Sequence, residues 1–298
     1  MTRALLTIGH GTVDDLRDLP AFLTTIRRGH APPPELLAEV HRRYLAIGGR
    51  SPLNDICRQL TDKLGARLGL RAAMAMRMCE PLPARVLGDL AREGITELLV
   101  MPLAQHSAPL YVETVREAAA QASPPFTVIG PGNWGQEPRL TEAFATEVRA
   151  ALERVPPAVR DRTRVLFSAH SLPVAVLRRG DPYEREVRAS AAAVAASVGP
   201  AMLPHDLIFQ SQGMGGGEWL GPDVRASLDR LAAEGVKHVV FAPTGFLADH
   251  VEILYDLDIE ARAWAEALGM GYARTASLNA GDGIVDALVA VARSVVPS

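Results

Sequence analysis

The sequence predicts an α/β protein of two similar lobes, each a parallel β-sheet flanked by helices. Short apolar runs alternate along the chain with longer segments of helical spacing, and crossovers of that length join parallel strands. An internal repeat supports two lobes. Ala4-Leu5-Leu6-Thr7-Ile8-Gly9-His10 aligns without a gap on Arg164-Val165-Leu166-Phe167-Ser168-Ala169-His170. Later and in the same order, Gly94-Ile95-Thr96-Glu97-Leu98-Leu99-Val100-Met101-Pro102 aligns on Gly235-Val236-Lys237-His238-Val239-Val240-Phe241-Ala242-Pro243. The expected lobes are 1–155 and 156–298, hinged near Pro156-Pro157, with the final helix free to pack back on the first lobe.

Each element has its own signal. Residues 4–8 form a buried-type strand ended by Gly9-His10-Gly11-Thr12. Leu36, Leu37, Val40 and Tyr44 have the spacing of a helix over 36–45, and Gly48-Gly49 stops it. Helix 56–68, strand 70–76, helix 83–93 ended by Gly94, and strands 98–102 and 126–129 follow, then a long helix over 138–155. The cycle restarts with strand 165–168, helix 183–198, strand 207–209, helix 224–234 and strand 238–242. Helix 250–268, strand 272–275 and helix 282–295 close the chain. The run Gly215-Gly216-Gly217 before Trp219 is a flexible loop.

Composition narrows the function. At roughly 150 residues per domain, 298 residues suit two lobes. A chain 48% hydrophobic and 22% charged is globular rather than disordered. A net charge of −3 excludes a basic, non-specific nucleic-acid binder, and 5% aromatic residues argue against a stacking RNA module. No apolar run is long enough for a membrane span, and the first residues look like a strand rather than a signal peptide. Cys57 and Cys79 are too few for a disulfide scaffold or a four-cysteine iron–sulfur cluster. A reducing cytoplasm is the expected location.

In open parallel sheets, ligands sit beyond the carboxyl ends of the strands. Four such ends are polar here: Gly9-His10-Gly11-Thr12, Gln105-His106-Ser107, Ser168-Ala169-His170-Ser171 and Ala248-Asp249-His250-Val251-Glu252. His10 and His170 occupy matching positions at the first strand ends of the two lobes, which would aim both at a shared cleft. Glu252, Asp256 and Glu260, spaced i, i+4, i+8, would form one carboxylate ridge on a helix. Such a ridge suits a hydrated divalent cation or a proton relay. Basic residues gather in the first lobe, at Arg27-Arg28, Arg42-Arg43, Arg50 and Arg77. Guanidinium forks match carboxylates, so a flat, apolar ligand with several acid groups suits that half. No phosphate-binding or dinucleotide glycine signature is present.

Several longer motifs carry a resemblance. They are Ile26-Arg27-Arg28-Gly29, Tyr44-Leu45-Ala46-Ile47-Gly48-Gly49-Arg50-Ser51-Pro52-Leu53, Phe167-Ser168-Ala169-His170-Ser171-Leu172-Pro173 and Gly180-Asp181-Pro182-Tyr183. Gln210-Ser211-Gln212-Gly213, Trp219-Leu220-Gly221-Pro222 and the stretch from Pro243 to Asp256 complete the set. In this order, over almost the whole chain, they resemble the ferrochelatase family. The resemblance implies two Rossmann-like, chelatase-type lobes that hold a porphyrin while ferrous iron is inserted. The Ile26-Arg27-Arg28-Gly29 and Ile47-Gly48-Gly49 neighbourhoods are most similar to the bacterial branch that metallates coproporphyrin III to coproheme in haem biosynthesis.

By the same resemblance, His170 matches the active-site histidine and Glu252 its partner glutamate. Asp256 and Glu260 match the acidic line behind it, so His170, Glu252, Asp256 and Glu260 are the expected metal-handling groups. Arg27, Arg43 and Ser51 fall where the macrocycle or its propionates are contacted, and Arg77 stands where the family has a lysine. His10 falls where that branch carries a tyrosine able to ligate iron from the opposite face. Fe(II) is expected as substrate, with no tightly bound cofactor and no iron–sulfur cluster. The expected partners are porphyrin, ferrous iron and a transient protein that delivers porphyrin or accepts product, with no nucleic acid. Three alternatives stay open: a protoporphyrin IX ferrochelatase, a cobalt or nickel tetrapyrrole chelatase like those with a Gly-His-Gly-Thr strand end, and a non-catalytic porphyrin or haem carrier.

Overall fold

The computed structural model describes residues 2–123, 125–213 and 217–296, which leaves Gly215 and Gly216 of the expected glycine loop outside the described residues. The first half runs β1 (Arg3–Gly9), α1 (Leu19–Ile26), α2 (Pro34–Ala46), α3 (Leu53–Leu68), β2 (Arg71–Met76), α4 (Pro83–Arg92), β3 (Glu97–Pro102), α5 (Ala108–Ala120), β4 (Thr127–Ile129) and α6 (Pro138–Glu153). The second runs β5 (Thr163–His170), α7 (Val174–Leu177), α8 (Tyr183–Val198), β6 (His205–Gln210), α9 (Val224–Ala233) and β7 (His238–Ala242). It continues with α10 (Val251–Leu254), a π turn (Asp256–Ala261), α11 (Arg262–Ala267), β8 (Gly271–Arg274) and α12 (Asp282–Val295).

The strands form two four-stranded parallel sheets of equivalent topology, β2-β1-β3-β4 and β6-β5-β7-β8. β1 corresponds to β5 and β3 to β7, the two pairs that the sequence repeat aligns. These are the internal strands. Covered by helices on both faces, they carry near-continuous apolar runs, with Leu98, Val100, Val239 and Phe241 all buried. Leu6, Ile8, Leu98 and Val100 pack against Leu87 and Leu90 of α4 and Val112 and Val115 of α5. In the second sheet, Leu166 and Ile208 face α9 and the α10–α11 segment through Leu228, Ile253 and Leu257. Phe209 and Ala169 face α8.

Two compact units result, 2–139 with 279–296, and 140–278. The expected division lay at 155/156, whereas the observed one falls in the first turn of α6. Beyond that turn α6 is tied to the end of α8: Arg149 donates to the Ser197 carbonyl (2.9 Å), and Ser197 Oγ donates to Glu142 (2.6 Å). α12 packs on α3 and β3, where Lys63 donates to the Ala280 carbonyl and Arg67 pairs with Asp286, each at 2.6 Å.

Four elements differ from the expectation. α1, α5 and the short α7 are additional helices, and Tyr111, Val112, Val115 and Ala119 of α5 have helical spacing and are buried. The helix expected over 250–268 is continuous in path but not in winding. The Tyr255 carbonyl accepts from both Ile259 N–H (3.2 Å) and Glu260 N–H (2.9 Å), and the second bond widens the turn.

Gly245 lets the loop after β7 lie directly on the end of β5. A Cβ there would stand 2.5 Å from Ala169 Cβ, 2.6 Å from its Cα and 3.1 Å from the Ser168 carbonyl oxygen. Because the obstacles include backbone atoms, Gly245→Ala is expected to destabilise the protein by about 1–3 kcal/mol, read as a lower urea midpoint at unchanged slope.

Candidate active site

β5 delivers His170 to the carboxyl end of its sheet. Side chains alternate along a strand, so His170 shares the face of Leu166, which is the face covered by α10. There Nδ1 of His170 lies 3.2 Å from Oε2 of Glu252, an ion-pair contact whose alignment falls short of a full hydrogen bond. Nδ1 is buried, yet 37% of the His170 side chain and 35% of the Glu252 side chain are exposed. The exposed edge of the ring therefore carries Nε2. Tyr183 Oη donates to the His170 carbonyl at 2.9 Å and anchors the strand end.

Glu252 is held from both of its peptide groups. Its N–H donates to Nδ1 of His250, the N-cap of α10 (3.1 Å), and its carbonyl accepts from Nε2 of Gln210 (2.9 Å). An accepting Nδ1 requires a neutral His250, and burial holds the pKa of that ring below the ordinary range. His170 goes the other way. Burial opposes its charged form, but the Glu252 carboxylate, by charge and as an acceptor, and the charge of Asp256 outweigh that, so its pKa is raised. Asp256 is buried and accepts from Ser211 Oγ at 2.6 Å. Asp249, conspicuous in the sequence, is committed elsewhere: Ser277 Oγ donates to it (2.6 Å), and Arg274 pairs with both Asp249 (3.3 Å) and Asp258 (2.7 Å).

The four expected metal-handling residues do not form a ready-made ligand set. Among the described residues, no three or more His, Cys, Asp or Glu side chains are gathered so as to hold a metal ion. Glu252 is directed to His170 and Asp256 to Ser211, while Glu260 lies on the widened turn. The arrangement is a succession of groups rather than a cage.

The residues expected in the first unit are scattered over its loops and helix ends. His10 is exposed at the end of β1, with the Tyr111 hydroxyl 3.5 Å from its Nδ1. Gly11, at φ +91°, turns the chain beneath it, where a Cβ would meet Cys79 Sγ at 2.5 Å. The Arg77 guanidinium lies 5.7 Å from the Tyr111 ring centroid. Arg27 caps α1 and is exposed; neither it nor Arg28 makes an ion pair among the described residues. Arg43 instead pairs with Glu39 at 2.8 Å. Ser51 is fully buried, its Oγ 3.4 Å from Leu53 N–H, so its contact in this structure is with the start of α3. Beyond the end of β3, His106 is buried, and burial pushes its pKa down to about 4.

The sequence profile described as Ferrochelatase matches residues 2–295. The chain belongs to the ferrochelatase family. It is 35% identical to the ferrochelatase of Herpetosiphon aurantiacus over 97% of both chains. It is 36% identical to the coproporphyrin III ferrochelatase of Nocardia farcinica, over 92% of this chain and 82% of that one. With the coproporphyrin III ferrochelatase of Bacillus subtilis it shares 31% over 96% of both. The fold matches SirB from Bacillus subtilis, in a structure with Fe3+, at a TM-score of 0.60 and 14% identity over 99% of this chain and 95% of that one. As a ferrochelatase, the protein is an enzyme whose substrates are iron and a porphyrin. Among the described residues, no helix is long and apolar enough to cross a membrane.

Tyr111, Tyr183, Gln210, Ser211 and His250 were not assigned roles from sequence, yet each touches an expected site residue. Tyr183, Gln210, Ser211 and His250 lie inside the motifs that carry the family resemblance, so their signal is in the sequence, without the geometry that gives it meaning.

The direction of the His170 shift sets a pH dependence. With His170 as a base, acting in its neutral form as proposed below, turnover should fall as pH drops through the raised pKa, and Glu252→Gln should move that limb to lower pH. The pair's contribution to stability has the opposite sense: it is present below the unfolded-state histidine pKa and lost as pH rises through the folded value. Imidazole NMR titration of the metal-free protein and its Glu252→Gln variant checks the shift; coincident curves would remove Glu252 as its cause.

Proposed function

We propose that the chain inserts Fe(II) into coproporphyrin III and releases coproheme. The observation that carries this reading is the His170–Glu252 pair, with one nitrogen against a carboxylate and the other ring edge open. Metallation replaces two pyrrole N–H protons by one Fe(II), so the enzyme must remove two protons for each ion it inserts. His170 Nε2 accepts a pyrrole proton, and Glu252 stabilises the resulting imidazolium. The imidazolium then gives its Nδ1 proton to Glu252 and on by way of Asp256 and Glu260 toward solvent, and once the ring has returned to its Nδ1–H tautomer its free Nε2 takes the second pyrrole proton. The same carboxylates pass hydrated Fe(II) inward one ligand at a time, which suits a succession of groups better than a cage that would retain the ion. Binding energy from the acid side chains of the ring favours a non-planar geometry that exposes its lone pairs.

The choice of coproporphyrin III rests on the first unit. Four carboxylates call for several guanidiniums, and Arg27, Arg28 and Arg77 supply them, with Arg43 able to exchange Glu39 for a propionate. His10 ligates the iron of the product. Relatives carry both the general and the coproporphyrin name, and the arginine content favours the more acidic ring over protoporphyrin IX.

His170→Ala is expected to lower kcat by about 10²–10⁴-fold while porphyrin binding, followed by fluorescence quenching, stays near the parent value. Unchanged turnover would remove the base assignment. Anaerobic assays with Fe(II) and either coproporphyrin III or protoporphyrin IX, monitored by loss of free-base fluorescence, should give the faster rate with coproporphyrin III. The reverse order would assign protoporphyrin IX.

A further inference from the structure

Gln210 ends β6 beside His170. The two are register partners in adjacent parallel strands, and each lies an even number of residues beyond an apolar residue facing α10, Ile208 and Leu166 respectively. By strand alternation both side chains stand on the α10 face. Gln210 is 2% exposed. Its Nε2 donates to the Glu252 carbonyl at 2.9 Å, while its Oε1 is buried and has no hydrogen-bond partner among the described residues. A reversed amide would set two carbonyl oxygens against each other, so the donor assignment follows from chemistry. A buried acceptor without a donor costs stability, and a purely apolar side chain would pack there without that cost. The Glu252 carbonyl lies where the α turn of α10 gives way to the π turn, and Gln210 supplies it with a donor from a different element.

We propose that Gln210 is a positioning residue for the chelatase reaction: its amide pins the main chain of Glu252 to β6 and so fixes the Glu252 carboxylate at His170 Nδ1. His170 and Gln210 come from neighbouring strands of one sheet, whose spacing is set by main-chain hydrogen bonds. Tying Glu252 to Gln210 therefore ties it to His170. Ile253 packs on Leu166 and Ile208, and Ser211 bonds Asp256, but neither contact is to the main chain of Glu252 itself. A second partner of that main chain, His250, belongs to the same loop as α10. This inference rests on Glu252 acting through His170, as proposed above.

A double-mutant cycle of Gln210→Leu with Glu252→Gln separates positioning from packing. Gln210→Leu alone should lower kcat by about 10- to 100-fold with the KM for porphyrin unchanged. In the Glu252→Gln background the same change should cost less than about twofold, because no carboxylate is left to misplace. Equal losses in both backgrounds, or none in the parent, would overturn the proposal. Full turnover of Glu252→Gln alone would instead remove the role of Glu252 on which it rests. Gln210→Met, of similar length and volume, serves the same cycle if the leucine variant does not fold.

Discussion

An internal parallel strand has a neighbour on each side and helices over both faces, so along most of its length it can carry nothing that needs water. Unpaired polar groups buried there would each cost about 1–3 kcal/mol. In this chain the constraint falls on β1, β3, β5 and β7, whose middles are closed and mostly apolar, with Thr7 of β1 and Ser168 of β5 as buried polar exceptions. Chemistry is thereby expelled to the strand ends. His10 and His170 are the first residues at which their strands regain partial exposure. The loops that meet them can be close only where side chains are absent, as at Gly11 and Gly245.

At the end of β5, electrostatics sorts the acidic residues into two groups. Arg274 takes up Asp249 and Asp258, so those carboxylates hold the segment together. Glu252 and Asp256 are the ones whose charge reaches His170. Their mutual repulsion is relieved when a proton sits on His170, which ties the proton affinity of that ring to the acids behind it. A cation arriving at Glu252 would compete with that proton, since both respond to the same negative potential. In the proposed reaction, metal entry and proton departure would both answer to that one field.

Much of this was legible in the sequence. Closed internal strands leave uninterrupted apolar runs, which is why the repeat could be seen at β1 with β5 and β3 with β7. The edge strands β2, β4, β6 and β8 are only partly covered and show no such match. The carboxylate spacing correctly placed Glu252, Asp256 and Glu260 on one helical segment. It could not show the extra residue in the turn, because i, i+4, i+8 spacing fits α and π winding alike over so short a stretch. Gln210 was visible only as part of a motif; its contact with Glu252 joins residues 42 apart. Arg43 was legible as a cation, but its pairing with Glu39 depends on rotamers that spacing leaves open. His170 was picked out by the repeat, and its pairing with Glu252 by resemblance rather than by any local pattern.

The order of elements along the chain has a consequence for how the protein is made. Unit 2 is one continuous stretch, 140–278, whereas unit 1 is assembled from 2–139 and 279–296. Until α12 emerges, α3 and β3 lack the helix that covers them, and Ile284, Val285 and Leu288 are not yet there to close the core. The half synthesised second can therefore complete its tertiary structure first. The half synthesised first waits, with apolar surface uncovered, until α12 has left the ribosome.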